Sequence, residues 1–305
     1  MRKLFKITLI VALSLMVVGT AISVAALAFA GFDIDKFSVT ENEYTERIAD
    51  IDGKDVTTLV IPENQYEFSD YYDIVLIPSE DKDFHFSYAA REGKDLSFDV
   101  QNHKLTVTSP GLKWSDCVGI ELFGEYPSLT LTVAVPDTVE TVDIRSDSVS
   151  VSCSDLQLAG DFVCYNDCTQ ITVENCSVKG MIRMEGDCSD VSLCDSSAAA
   201  VILEVDCGLV SLDTVTADSF DLAADSGDIS LNEISVGRSL KICGDCGSVS
   251  GTLNERAEDF TIRCEVEDGS SNLPEVFGNG TKSLDIEVDC GDVDIDFLKS
   301  TLNVL

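Results

Sequence analysis

The stretch Leu240-Lys241-Ile242-Cys243-Gly244-Asp245-Cys246-Gly247-Ser248-Val249-Ser250 decides the fold, because it recurs. With Val249 as anchor, matching anchors are Val149, Ile171, Val191, Val210, Ile229, Ser271 and Val293, with successive steps of 22, 20, 19, 19, 20, 22 and 22 residues. Self-similarity at a fixed period of this size marks a solenoid. Two residues after the anchor stand Val151, Val173, Leu193, Leu212, Leu231, Gly251, Leu273 and Ile295. Seven before it stand Val142, Cys164, Met184, Leu203, Leu222, Ile242, Cys264 and Ile286. Nine before it, from the second unit on, come Phe162, Ile182, Val201, Phe220, Leu240, Ile262 and Leu284. The two-residue step between apolar positions is a strand period, and the runs are too short for helices. One unit cannot bury its apolar face alone, but stacked units bury it together. The pattern therefore predicts an all-β chain: a single-stranded parallel β-solenoid (β-helix) of about 20-residue rungs, each with two or three short faces.

The turn inside each unit is regular. Two before the anchor the later units carry Gly208, Gly227, Gly247, Gly269 and Gly291, which suit a φ > 0 corner. Four before it run Asp167, Asp187, Asp206, Asp225, Asp245, Glu267 and Asp289. Three before it run Ser146, Cys168, Cys188, Cys207, Ser226, Cys246, Asp268 and Cys290.

Lys and Arg number 20 against 55 Asp and Glu, a formal net charge of −35. Such a surface repels nucleic acid, whose binding relies on basic contacts to phosphate, and repels anionic lipid headgroups. No nucleic-acid partner is expected. Acidic chains are often disordered, but hydrophobic residues make up 45% of this one and stand in ordered columns.

Upstream, Arg2, Lys3 and Lys6 precede an uncharged run from Ile7 to Phe32. About 20 apolar residues suffice to span a bilayer, so residues 7–32 are expected to form one transmembrane helix. Residues 1–6 then stay in the cytoplasm and the rest lies outside the cell. A cleaved signal peptide is the rival reading, since Ala28-Phe29-Ala30 precedes Gly31. The run exceeds the usual 7–15 residues of a signal core, which favours the anchor. Residues 33–57 are polar and read as a stalk, partly helical around Glu41 to Ile51. Residues 58–141 read as irregular β rungs or a cap, with strands at Tyr72–Ile77, Phe84–Tyr88, Leu96–Val100, Leu105–Val107 and Leu129–Val135. Ser109 to Ser128 is a longer excursion carrying Trp114, the only tryptophan, and Cys117. Residues 142–305 are the regular repeats, with Leu302, Val304 and Leu305 expected to fold over the last rung.

These features together resemble a known family. The membrane run ends Gly31-Phe32-Asp33-Ile34-Asp35. It is followed by Ile74-Val75-Leu76-Ile77-Pro78-Ser79-Glu80-Asp81, Leu105-Thr106-Val107, Leu129-Thr130-Leu131-Thr132-Val133 and Val135-Pro136. Repeated turns such as Ser226-Gly227-Asp228-Ile229 and Cys290-Gly291-Asp292-Val293 complete the pattern. This is similar to the bacterial putative-adhesin family of membrane-anchored β-solenoid domains, common in Firmicutes. The resemblance implies a solenoid fold and a cell-surface role, and it carries over no catalytic or ligand residues. The chain departs from the family in placing Cys where Ser is commoner in the turn.

The chain has 12 cysteines. Those of the turn column read as small residues filling an interior corner. Stacked strands lie about 4.8 Å apart, so a disulfide between Cys168 and Cys188, or Cys188 and Cys207, satisfies the Cα distance. Parallel side-chain vectors oppose it. Cys243-Gly244-Asp245-Cys246 has redox or zinc spacing, but two repeat columns account for both cysteines and no second such pair completes a zinc site. The acidic column reads as solvated turn aspartates; loose Ca²⁺ binding between rungs is the functional alternative. Only His85 and His103 are present, and no nucleophile elbow, phosphate loop or zinc-protease motif accompanies them.

No catalytic, cofactor-binding or metal residue is therefore assigned, and no cofactor is required. The expected function is a non-enzymatic cell-surface module, an adhesin or binder of a protein or cell-envelope polymer, held to the membrane by its N-terminal helix. An envelope scaffold acting on membrane partners is the alternative, and a carbohydrate-active enzyme working through paired carboxylates a third.

Overall fold

A computed structural model describes residues 2–29, 44–63, 72–111, 129–147 and 149–298. The chain divides into two units, residues 1–43 with 112–127 and residues 44–111 with 128–305. In the first, Arg2–Phe29 is one α-helix. Its continuous run of described side chains, residues 14–25, is exposed. Among the described residues no helix is long and apolar enough to cross a membrane. Trp114, Cys117 and the carboxy-terminal Leu302, Val304 and Leu305 lie outside the described residues.

The second unit is built of β-strands stacked in parallel rungs. Along one face, Val151–Ser154, Gln170–Glu174, Asp190–Cys194 and Val210–Asp213 pair in series. Ile229–Cys246 and Val249–Leu253 continue that face. The second face runs Thr141–Ser146, Phe162–Asn166, Met181–Gly186, Ser197–Cys207, Thr216–Ser226 and on into Ile229–Cys246. A short third face begins with Gln157–Leu158 on Ser177–Val178. The apolar columns turn inward: Ile171, Val173, Ile182, Met184, Val201 and Leu203 are all fully buried. Stacking in register repeats the same side chain over its counterpart, so the core is one continuous stripe.

The first rung sits two residues from its expected register. Val151, not Val149, pairs with Ile171, and Val142 pairs with Phe162 rather than standing over Cys164. A slip of two preserves which side chains face inward, so alternation alone could not detect it. With the true register the first step is 20 residues, and Asp147 heads the acidic column.

Both ends of the array are interleaved. Lys282–Cys290 inserts between Ile229–Cys246 and Phe260–Asp268, so the last unit in sequence stacks inside the one before it. Val276–Phe277 closes the outer side of Phe260–Asp268 as an antiparallel strand. Likewise Thr58–Ile61 lies between Lys104–Thr108 and Thr141–Ser146, and Tyr72–Pro78 between Leu129–Val135 and Val151–Ser154. Antiparallel strands Ser97–Gln101, Asp83–Ala90 and Thr45–Asp52 finish that end. Such caps cover edges that would otherwise template pairing with another chain. At the far end Lys282 Nζ approaches the carbonyl of Val236, lies 3.2 Å from Glu255 Oε1 and sits over the ring of Phe260, which pins the interleaved strand.

Thr45–Asp52 corrects the expected stalk and helix of residues 33–57. It pairs residue by residue with Asp83–Ala90. Backbone pairing supplies what its few apolar residues do not: Ala49 and Ile51 pack on the core, while the outermost strand carries Glu46, Arg47, Asp50 and Asp52. Charges on an outer strand discourage edge-to-edge association. The part of the stalk before Tyr44 lies outside the described residues.

Candidate binding edge

At the corner between the second and first faces the chain passes four residues in succession. The residue before them is buried, as at Asn166, Gly186, Val205, Ala224 and Gly244, and so is the anchor after them. The acid and its following Cys or Ser therefore both stand outside. Asp167, Asp187, Asp206, Asp225, Asp245 and Asp289 are exposed, and so are Cys168, Cys188, Cys207, Cys246 and Cys290. This overturns the interior-corner reading of these cysteines. The two-residue alternation that places the strands breaks at the corner, where consecutive residues share one side. Among the described residues the buried cysteines are Cys153, Cys164, Cys176 and Cys264, inside the strand columns or the third-face corner; Cys153 and Cys176 Sγ atoms approach to 3.7 Å. Burial pushes the Cys164 thiol up to about 12.

The glycine that follows is required by close approach. A Cβ on Gly227, Gly247 or Gly291 would collide with the carbonyl oxygen of Gly208, Gly227 or Gly247 on the neighbouring rung. Gly208, Gly247 and Gly291 also hold φ of 141°, 155° and 155°. Beside the glycines runs a second set of carboxylates that the fold consumes. Asp190 Oδ1 accepts the Leu209 N–H at 2.9 Å, Asp228 Oδ1 the Ser248 N–H at 2.8 Å, and Asp292 Oδ1 the Ser270 N–H at 2.9 Å. The Ser270 hydroxyl and N–H hold the Asp292 carboxyl below its usual range. The outer column is not consumed in this way: among the described residues the side chains of Asp187, Asp206, Asp225, Asp245 and Asp289 take no hydrogen bond or ion pair. Partial burial, with Asp187 and Asp147 on either side, pushes the Asp167 carboxyl up. Among the described residues no group of three or more His, Cys, Asp or Glu is placed to hold a metal ion.

The C-x-x-C splits between two surfaces. Cys243 is half-buried opposite Glu287, whereas Cys246 is exposed opposite Cys290. His103 sits in a hairpin turn, its Nδ1 2.8 Å from the Asp55 carbonyl. No motif in the sequence points to the role of His85. Its Nδ1 lies 2.8 Å from Asp50 Oδ1 and its Nε2 3.0 Å from Asp81 Oδ1. With both nitrogens held by carboxylates, the ring has no face left to serve as a base, and it ties the outer strand Thr45–Asp52 to the turn.

These hydrogen bonds, to Asp50 first and then Asp81, raise the His85 pKa above 6.5. The Asp83 backbone N–H, and then His85, lower the Asp81 pKa below 3.8. A raised imidazole contributes stability that is complete below 6.5 and lost as pH rises through its folded value; a lowered carboxyl contributes above 3.8 and is lost on acidification. The protection factors of residues 45–52, exchange rates referred to those of an unstructured chain at the same pH, are therefore expected to be highest between about pH 4 and 6.5 and to fall above. His85→Gln should flatten the upper limb, and an unchanged profile in that variant would refute the clip.

A profile of the Toastrack DUF4097 family matches residues 67–296, which takes in the rungs, the glycine column and the acidic edge. The chain belongs to the Toastrack DUF4097 family. This bears out the family resemblance carried by the turn and strand motifs. The solved structures to which the chain is similar are distant from it in sequence. A putative adhesin of Bacteroides fragilis is 13% identical over 84% of this chain and 99% of its own, with a TM-score of 0.47. A putative cell adhesion protein of Clostridium sporogenes is 12% identical over 84% and 100%, with a TM-score of 0.26. A putative lipid binding protein of Parabacteroides distasonis is 13% identical over 84% and 97%, with a TM-score of 0.48. No curated protein matches the chain.

Proposed function

We propose that this Toastrack chain is a non-enzymatic, membrane-anchored surface module that binds a basic partner along its acidic edge. The observation that carries the proposal is the outer carboxylate column, repeated rung by rung and left uncommitted by the fold, on a chain of net charge −35. Rung spacing of about 4.8 Å makes the column a linear charge array, which favours an extended cationic partner and speeds its encounter. The anchor reading rests on the basic start and the uncharged run Ile7 to Phe32, which support an array outside the cell.

The test uses full-length chain in intact cells. Protease added outside should remove the β unit while leaving the N-terminal segment with the membrane; complete protection would sink the topology. Saturable binding of envelope components should fall at least tenfold when Asp187, Asp206, Asp225 and Asp245 are all changed to Asn, and should weaken steeply between about 0.05 and 0.5 M salt. Binding that ignores both changes would remove the acidic edge from the function. An effect on neighbouring membrane proteins that vanishes when residues 7–32 are replaced by an unrelated span would favour an envelope scaffold instead.

A further inference from the structure

Five exposed cysteines stand in one corner column, and the stacking order divides them. Cys207 is paired with Ser226, and Ser226 with Cys246, so a serine rung separates Cys168, Cys188 and Cys207 from Cys246 and Cys290. In sequence order Cys246 and Cys290 would not meet, because the unit between them contributes Asp268 to the same column. Interleaving brings them together. Lys282–Cys290 inserts directly beside Ile229–Cys246, Cys246 becomes the register partner of Cys290, and Asp268 moves to the far side of Cys290. The Gly247 N–H donates to the Cys290 carbonyl at 3.0 Å, which fixes the two corners side by side. Strand spacing of about 4.8 Å lies within the Cα range of disulfides. Both cysteines end their strands and precede glycines at φ 155°, so their side chains leave at the mouth of a turn rather than from the middle of a ladder.

We propose that Cys246 and Cys290 are a thiol–disulfide exchange site that closes as an inter-rung disulfide and locks the interleaved end of the array. The co-reactant is a small neutral or cationic disulfide, RS–SR. One cysteine, as thiolate, attacks a sulfur of RS–SR and releases one RSH. The second attacks the protein sulfur of the mixed disulfide and releases the other. Two protein thiols are oxidised to one S–S bond, and one small disulfide is reduced to two thiols.

Charge selects the co-reactant. Asp245 and Asp289 precede the two cysteines, and Asp225 and Asp268 occupy the flanking rungs. Desolvation, the neighbouring Cys290 thiol and the Asp245 and Asp289 carboxylates raise the Cys246 thiol above its usual value. Negative reagents are repelled from the same edge. The lock follows from topology: the whole terminal rung Phe260–Asp268 lies in the loop that the bond closes, and the strand on which it stacks, Lys282–Cys290, is held to Ile229–Cys246. Cys243 is the competing partner, but it stands opposite Glu287 on another surface.

The experiment treats reduced full-length protein with cystamine or with dianionic dithiodiglycolate. It then alkylates the free thiols and maps linked peptides by mass spectrometry without reduction. A Cys246–Cys290 linkage is expected as a major product, with cystamine about tenfold faster at low ionic strength and the difference collapsing near 0.5 M salt. Oxidation should raise Tm by about 5 °C. Cys246→Ser and Cys290→Ser should each abolish the product and the gain while keeping the reduced fold, because Ser226 already occupies this column. A Cys246–Cys243 linkage, or Cys246 and Cys290 both still alkylated after cystamine treatment, would overturn the site. Equal rates with the two reagents would overturn the assigned co-reactant class.

Discussion

Gly247→Ala is expected to destabilise the protein by about 3–5 kcal/mol, near the upper limit for one methyl group. The added carbon has nowhere to go. It would meet the carbonyl oxygen and carbon of Gly227 on the adjacent rung, which are backbone atoms held by the ladder. The chain there also holds φ of 155°, which L side chains rarely adopt. Relief requires separating two rungs, and the glycines stack on one another from Gly208 through Gly227 and Gly247 to Gly291. Gly244→Ala, three residues away, is the matched control. Its Cβ would lie 3.5 Å from the Ala224 carbonyl and 3.9 Å from Val288 Cγ2, ordinary contacts in a column that already holds Val205 and Ala224. That change should be neutral or stabilise by up to about 1 kcal/mol, since alanine orders a strand interior more readily than glycine. Equilibrium denaturation of the two variants decides the matter. Similar losses would mean that the rungs are looser than the stacked glycines imply.

The strands were legible in the sequence because each residue's face is set locally. Apolar residues two apart fix which side turns inward, so Ile171, Val173, Ile182 and Met184 could be placed in the core from their columns. Stacking order was not legible. Every rung carries nearly the same pattern, so Cys290 matches Cys246 as well as it matches Asp268, and only the connections at residues 254–259 and 269–281 break the degeneracy. The first-rung slip escaped for the same reason. The corner cysteines were misplaced because alternation was extended through a turn that suspends it.

A second corner went unread. Asp155, Asn175, Asp195, Thr214 and Glu233 all hold positive φ, at a spacing of 19 or 20 residues. The Asp155, Asn175, Asp195 and Thr214 N–H groups each donate to a carbonyl of the next rung. Asp and Asn tolerate this conformation better than most residues, and their recurrence was the available signal. Thr214 and Glu233 hid it, because stacking imposes the conformation on residues that would not choose it alone. The acidic edge was legible as a column of exposed turn carboxylates. The His85 clip was not, since Asp50 is brought opposite it only by the antiparallel pairing of the outer strand, and Asp81, four residues away, shows no such role by itself.

Phe220→Ala should rival the glycine change, at about 3–5 kcal/mol, and the reason lies in where its rung sits. Phe220 is buried to 2% exposure and stacks between Val201 on one rung and Leu240 on the next. Removing the ring leaves a void that neither neighbour can fill without shifting out of register. Stability in a stacked array is approximately a sum of rung terms and nearest-neighbour interfaces. An interior rung contributes to two interfaces, so its loss weakens the array on both sides. Ile262, equally buried, lies on the terminal rung, with Leu284 inward and only the short strand Val276–Phe277 outward. Ile262→Ala should therefore act locally: faster hydrogen exchange in residues 260–277, with the midpoint of global unfolding moved less than half as far as by Phe220→Ala. If both variants lowered the global midpoint equally, the end rung would be part of one cooperative unit with the interior. A Cys246–Cys290 disulfide ties only the strand beneath the terminal rung to the interior, so oxidation should raise the global midpoint of both variants while the effect of Ile262→Ala stays local.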